Sequence, residues 1–125
     1  MPSRICRLRL RAFLLQHGLC WYCGAPMWLT SSLELDAELP SSAAASRLRC
    51  TAEHLVARTD GGRDTPSNVV AACFHCNHTR HVRKHPPTPE VYRLEVGRRM
   101  ARHGWHPAWV HAVPCASPPT SSRSR

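Results

Sequence analysis

Four side chains with hard or borderline donors sit within one short stretch. Glu53 and His54 are adjacent, and Asn77 and His81 are four residues apart on a predicted helix, hence on one face. Glu53, Asn77 and His81 together offer two oxygens and a nitrogen, with coordination positions left for water and phosphate. That mixed set suits Mg²⁺ or Mn²⁺, or another transition metal, rather than a structural zinc. Taken singly, each residue has a plainer reading: a surface His54, a turn at Asn68, a helix cap at Asn77, and a His81 with His75, His78 and His85 as rivals.

A second group has soft ligands. Cys20-Trp-Tyr-Cys23 and Cys73-Phe-His-Cys76 are separated by 49 residues. One CxxC is a weak signal, but two pairs supply the four thiolates of a tetrahedral zinc from two turns. A redox dithiol needs only one pair. A zinc on Cys20, Cys23, Cys73 and Cys76 would tie the N-terminal helix to the helix that starts at the second pair, and would contribute folding free energy directly. Because Asn77 follows Cys76, the structural ion would also set where the ligand-bearing helix begins. Cys6, Cys50 and Cys115 are then spare, as small apolar residues or free thiols.

The elements that must position these groups are few. Ile5, Leu8, Ala12 and Leu15 recur at helical spacing, so residues 4–16 read as a basic amphipathic helix stopped by Gly18. Residues 20–28 form the first metal turn, with Gly24 after the second cysteine. Residues 30–46 hold the acidic cluster Glu34, Asp36 and Glu38 and read as an insertion loop with solvated acids. Residues 47–57 and 68–73 read as strands about a loop at 58–67, followed by a helix from His75 to Lys84 that ends before Pro86-Pro87. On a strand, Glu53 and His54 point to opposite faces. A further helix is predicted over 89–103, with Pro89 at its start and Gly104 after its end, and Trp105, Trp109 and Val113 mark a short packing segment.

The bulk numbers bound the rest. The chain has 125 residues, 17 of them basic against 8 acidic, and only one of the 17 is Lys. Such an Arg-rich surplus favours nucleic acid as the partner. The length suits one domain, 1–114, with a core about 18–84, and the Ser/Pro/Arg-rich stretch 115–125 reads as a disordered tail. Seven cysteines, four in CxxC pairs, fit metal ligation in a reducing compartment better than a disulfide framework. Arginines interrupt the N-terminal apolar residues, so no secretory h-region forms, and no run reaches membrane-spanning length. A cytoplasmic protein of bacterial or phage origin is expected.

The stretch Thr51-Ala-Glu53-His54 … Gly61-Gly62 … Asn68-Val-Val-Ala-Ala-Cys73-Phe-His-Cys76-Asn77-His-Thr-Arg80 resembles the HNH endonucleases over about residues 18–84. The resemblance implies an α+β fold: a ββα-metal core stapled by a four-cysteine zinc, with flanking N- and C-terminal helices. It implies His54 as general base, Asn68 as the residue that holds the loop and orients that base, and Glu53 and Asn77 as ligands of the catalytic divalent ion, with His81 as a further one. Arg80 and Arg58 would contact the phosphate of a DNA substrate, expected to be double-stranded, and the products would be 5′-phosphate and 3′-hydroxyl ends. A monomer or homodimer is expected. Two features depart from the pattern: Arg58 stands where many members have Pro, and the 30–50 insertion is long. The competing reading is a non-catalytic, zinc-stabilised nucleic-acid-binding module.

Overall fold

The computed structural model describes residues 2–115. The expected tail at 115–125 lies, apart from Cys115, outside the described residues. Helix α1 (Arg4–Leu15) starts at Ser3, whose hydroxyl accepts from the Cys6 amide. It stops at Gly18, which takes φ +74° and donates its N–H to the Phe13 carbonyl. Leu8 and Ala12 form its buried stripe, and this stripe lies on a two-stranded antiparallel sheet.

That sheet is β1 (Cys50–His54) paired with β2 (Val69–Cys73), in a register that sets Cys50 opposite Cys73 and His54 opposite Val69. A lone hairpin is marginal in water and needs cover. Part of the cover is polar: the Gln16 amide both donates to the Ala71 carbonyl (2.8 Å) and accepts from the Ala71 N–H (2.9 Å), standing in for a neighbouring strand. The Trp21 N–H adds a bond to the same carbonyl. Helix α3 (Phe74–His81) leaves β2 without a linker, capped by the Cys73 sulfur, which accepts from the Cys76 amide. Asn77 therefore lies inside the helix and is not its cap.

Two expectations change. The first strand is β1 over residues 50–54 rather than 47–57, because Ser46–Leu48 winds into a 3₁₀ turn. The insertion is not a plain loop: it contains a 3₁₀ turn at Ser32–Leu35 and the short helix α2 (Ser42–Ala45), capped by Ser41. Nor is Glu34 merely solvated. Its carboxylate accepts the backbone N–H groups of Leu29, Thr30 and Ser31, which closes the turn as a capping box.

Helix α4 (Pro89–Ala101) starts at Thr88 and buries Tyr92 and Val96. Tyr92 donates its hydroxyl to the Cys76 carbonyl at 2.7 Å, and Arg93 lies 4.2 Å from the centre of the Trp21 ring, so α4 grips both metal turns. Trp105 and Val113 are buried on either side of α5 (Ala108–His111). The core runs from Ala12 through Tyr22, Leu48, Cys50 and the cysteine cluster to Tyr92 and Trp105. Cys50 is fully buried, and burial pushes its thiol up to about 12, as expected of a packing residue. No helix among the described residues is long and apolar enough to cross a membrane.

Candidate active site and structural metal centre

Cys20, Cys23, Cys73 and Cys76 place their four sulfurs within 4.8 Å of one another. Gly24, at φ +75°, lets the first turn close, with its N–H on the Cys20 carbonyl. Backbone N–H groups point at the sulfurs: Cys73 N–H to Cys20 Sγ (3.2 Å) and Ala25 N–H to Cys23 Sγ (3.4 Å). Side chains do the same, with Trp105 Nε1 3.3 Å from Cys76 Sγ and His106 Nε2 3.3 Å from Cys23 Sγ.

Four thiols this close, three of them buried and Cys23 half-buried, cannot all ionise unaided. Cys20 is buried, which pushes its thiol up, yet hydrogen bonds from Cys23, Cys73 and Cys76 pull it well below its ordinary value. Cys73 is raised by its contacts with Cys20 and Cys23, and Cys76 by burial and then by the same neighbours. One soft divalent cation removes the conflict by taking all four as thiolates, so the donor set fits structural zinc.

The second site is built on β1, α3 and the loop between the strands. Glu53 and His54 do point to opposite sides. Glu53 is only 2% exposed. Its Oε2 accepts from the Tyr22 hydroxyl (2.8 Å) and from Arg80 Nη1 (2.9 Å), while Oε1 lies 2.9 Å from His81 Nε2. Burial, then the Glu53 carboxylate, hold the Tyr22 phenol far above its ordinary range, so it stays a donor. Two ligands bound at a right angle, each about 2.1 Å from an octahedral ion, sit about 3 Å apart. The Glu53–His81 separation fits that pair. Asn77 ties α3 to β1 through Nδ2, which donates to Thr51 Oγ1 (3.0 Å) and the Ala52 carbonyl (3.2 Å), leaving Oδ1 as its remaining acceptor. The donors thus fit a hard divalent ion, with the His81 side chain 38% exposed and open to solvent.

His54 Nε2 lies 2.7 Å from Asp64 Oδ1. Asp64 also takes the Arg58 guanidinium on both oxygens (3.1 and 3.0 Å). The hydrogen bond with His54, and then Arg58, hold the Asp64 carboxyl below its ordinary value. Asn68 fixes the loop that carries Asp64: its Oδ1 accepts from Val56 N–H, and its Nδ2 donates to the carbonyls of Val56 and Arg63. Gly62 sits so close beneath Val56 that a Cβ there would fall 1.7 Å from the Val56 carbonyl oxygen. No other residue fits there. From outside, Arg4 donates its Nε–H to the Asp64 carbonyl (2.7 Å), locking α1 to the same loop.

The two arginines expected on phosphate are both held by carboxylates. Arg80 is buried between Glu53 and the Pro87 carbonyl, whereas Arg58 is paired with Asp64 but remains 60% exposed. Asp64, Tyr22 and the sulfur-facing pair Trp105–His106 were not anticipated from the sequence. The only hint at Asp64 is its place in the loop between His54 and Asn68. A cleft of about 630 Å³ opens beside His81, walled by Leu55, Val56 and Thr59 on one side and Pro86, Pro87 and Thr88 on the other.

Neither the comparison with curated proteins nor that with solved structures returned a match. The HNH endonuclease family model matches residues 42–83. That span holds the hairpin, α3 and all five of Glu53, His54, Asn68, Asn77 and His81, and nuclease chemistry on nucleic acid with divalent metals is the family's general activity. Over these residues the chain is similar to the HNH endonuclease family.

Proposed function

We propose that the protein is a divalent-metal-dependent endonuclease that hydrolyses phosphodiester bonds in DNA, with His54 as general base and Glu53, His81 and Asn77 as the ligands of Mg²⁺, Mn²⁺ or a similar ion. The observation that carries this reading is the split of two adjacent β1 residues: Glu53 turns to His81, and His54 turns to a clamped carboxylate.

The neutral His54 ring donates its Nε2–H to Asp64, which leaves the lone pair of Nδ1 to take a proton from water. The loop held by Asn68 keeps Asp64, and so the ring, in place. Tyr22 and Arg80 hold one oxygen of Glu53 and leave the other beside His81. When bound, the divalent ion stabilises charge on the scissile phosphate and on the leaving 3′ oxygen. Arg58, exposed beside Asp64, contacts a backbone phosphate, and the cleft beside His81 receives the strand. Double-stranded DNA is the proposed substrate.

The test is cleavage of plasmid and of labelled single- and double-stranded DNA with Mg²⁺ or Mn²⁺. Wild type is expected to cut, and His54→Ala to lose on the order of 10²–10⁴-fold in rate with the fold intact. Salt-sensitive binding without cleavage under any divalent ion would instead support the non-catalytic binding module.

A further inference from the structure

Arg47 precedes β1 and lies beside Cys73, Cys76 and Cys23 of the cysteine cluster. Its Nε–H donates to His106 Nδ1 (2.8 Å), and its Nη2 donates to the Trp105 carbonyl (3.0 Å) and to His75 Nε2 (3.1 Å). A guanidinium only donates, so His106 Nδ1 must be the acceptor and its proton must sit on Nε2. That Nε2–H is the group 3.3 Å from Cys23 Sγ. The same reasoning puts the His75 proton on Nδ1, facing Thr79 Oγ1.

Trp105 and His106 are consecutive, and their N–H groups reach one sulfur from each CxxC pair. Both are buried. A zinc with four thiolates carries a net charge of −2, which is costly to bury unless donors and a nearby cation offset it. Arg47 is that cation.

We propose that Arg47, Trp105 and His106 are an outer shell of the zinc centre, in which Arg47 positions His106 as an N–H donor to Cys23 and the Trp105–His106 pair slows loss of the ion. The inference rests on the four-cysteine zinc reading. It gives the segment after α4 a role that packing alone does not require.

The experiment uses the full-length, zinc-loaded protein. Zinc content of the wild type first tests the four-cysteine site itself, and a wild type that binds no zinc overturns that reading and this inference together. ¹⁵N-resolved imidazole spectra of the wild type then report the His106 tautomer, and a proton on Nδ1 would overturn the inference without any variant. Zinc transfer to an excess of chromophoric chelator is finally timed. His106→Phe and Trp105→Phe are expected to release zinc about 10–100-fold faster, and Arg47→Met to do the same while mixing the His106 tautomers. His106→Gln, which keeps an N–H donor, is expected to restore most of the retention. Release from His106→Phe at the wild-type rate, with zinc bound one-to-one, refutes the proposal and leaves the zinc site standing.

Discussion

Glu53 Oε1 and His81 Nε2 face each other at 2.9 Å, although they are 28 residues apart in sequence. A strand and a helix have been brought together at the spacing of two adjacent ligands. His78 is instead stacked on Phe74, and His75 is bound up with Arg47 beside the cysteines. His81→Ala is therefore expected to raise the divalent-ion concentration for half-maximal cleavage by at least 10–100-fold, and His78→Ala to leave it unchanged. A titration of cleavage rate against Mn²⁺ distinguishes the two variants. Equal sensitivity to both would remove His81 from the ligand set.

The Glu53–Arg80 pair is buried on both sides, with side chains 2% and 7% exposed. Removing one member of such a pair leaves a buried charge without its counter-ion, at a cost of about 3–5 kcal/mol. Arg80→Met should show that loss in urea denaturation without divalent ion. Added Mn²⁺ should then raise the melting temperature of the variant more than that of wild type, since the ion supplies the missing positive charge. The double variant Glu53→Gln/Arg80→Met should recover part of the stability and none of the response to the ion.

The parts legible in the sequence are those fixed by local spacing. Each CxxC encodes its own turn, and Asn77 and His81 share a face because a helix repeats every 3.6 residues. Alternation along a strand separates Glu53 from His54. What the sequence hides depends on contacts between distant segments. Arg80 reads as a surface cation until Glu53, 27 residues earlier, is folded beneath it. His106 and Cys23 are 83 residues apart, so nothing in either neighbourhood announces a hydrogen bond to sulfur. The shortened first strand has the same origin: Arg47 sits in a turn that aims it at His75 and His106, where an extended strand was expected. Asp64 resembles any turn residue until the loop closes on Asn68.

Asp64 stands between His54 and Arg58, so its carboxylate fixes which ring nitrogen of His54 faces away. Asp64→Asn keeps the size of the side chain but loses the charge. The amide can present its NH₂ to the ring as well as its oxygen, so the preferred tautomer is no longer set. The cleavage rate at saturating DNA and metal is expected to fall about tenfold or more, with little change in DNA affinity. Arg58→Ala removes the other partner of Asp64 and should weaken DNA binding, most visibly at low salt. If Asp64→Asn lowered affinity and left the rate alone, Asp64 would belong to the binding surface and not to the base.

Glu34 gives the insertion a pH dependence with a definite sign. Burial alone would raise its carboxyl, but the backbone N–H groups of Leu29, Ser31 and Thr30 outweigh it and hold the group below its ordinary value of 4.5. The unfolded chain then takes up the proton before the folded one does. The stabilisation is complete above the unfolded value and is lost as pH falls through the folded one. Glu34→Gln can still accept hydrogen bonds but carries no charge, so it should cost about 1 kcal/mol near neutral pH, the usual scale of a helix-cap interaction. That difference from wild type should shrink toward zero in urea titrations carried below the folded value of the carboxyl. A gap of the same size at acid and neutral pH would mean that the capping turn does not depend on the charge of Glu34.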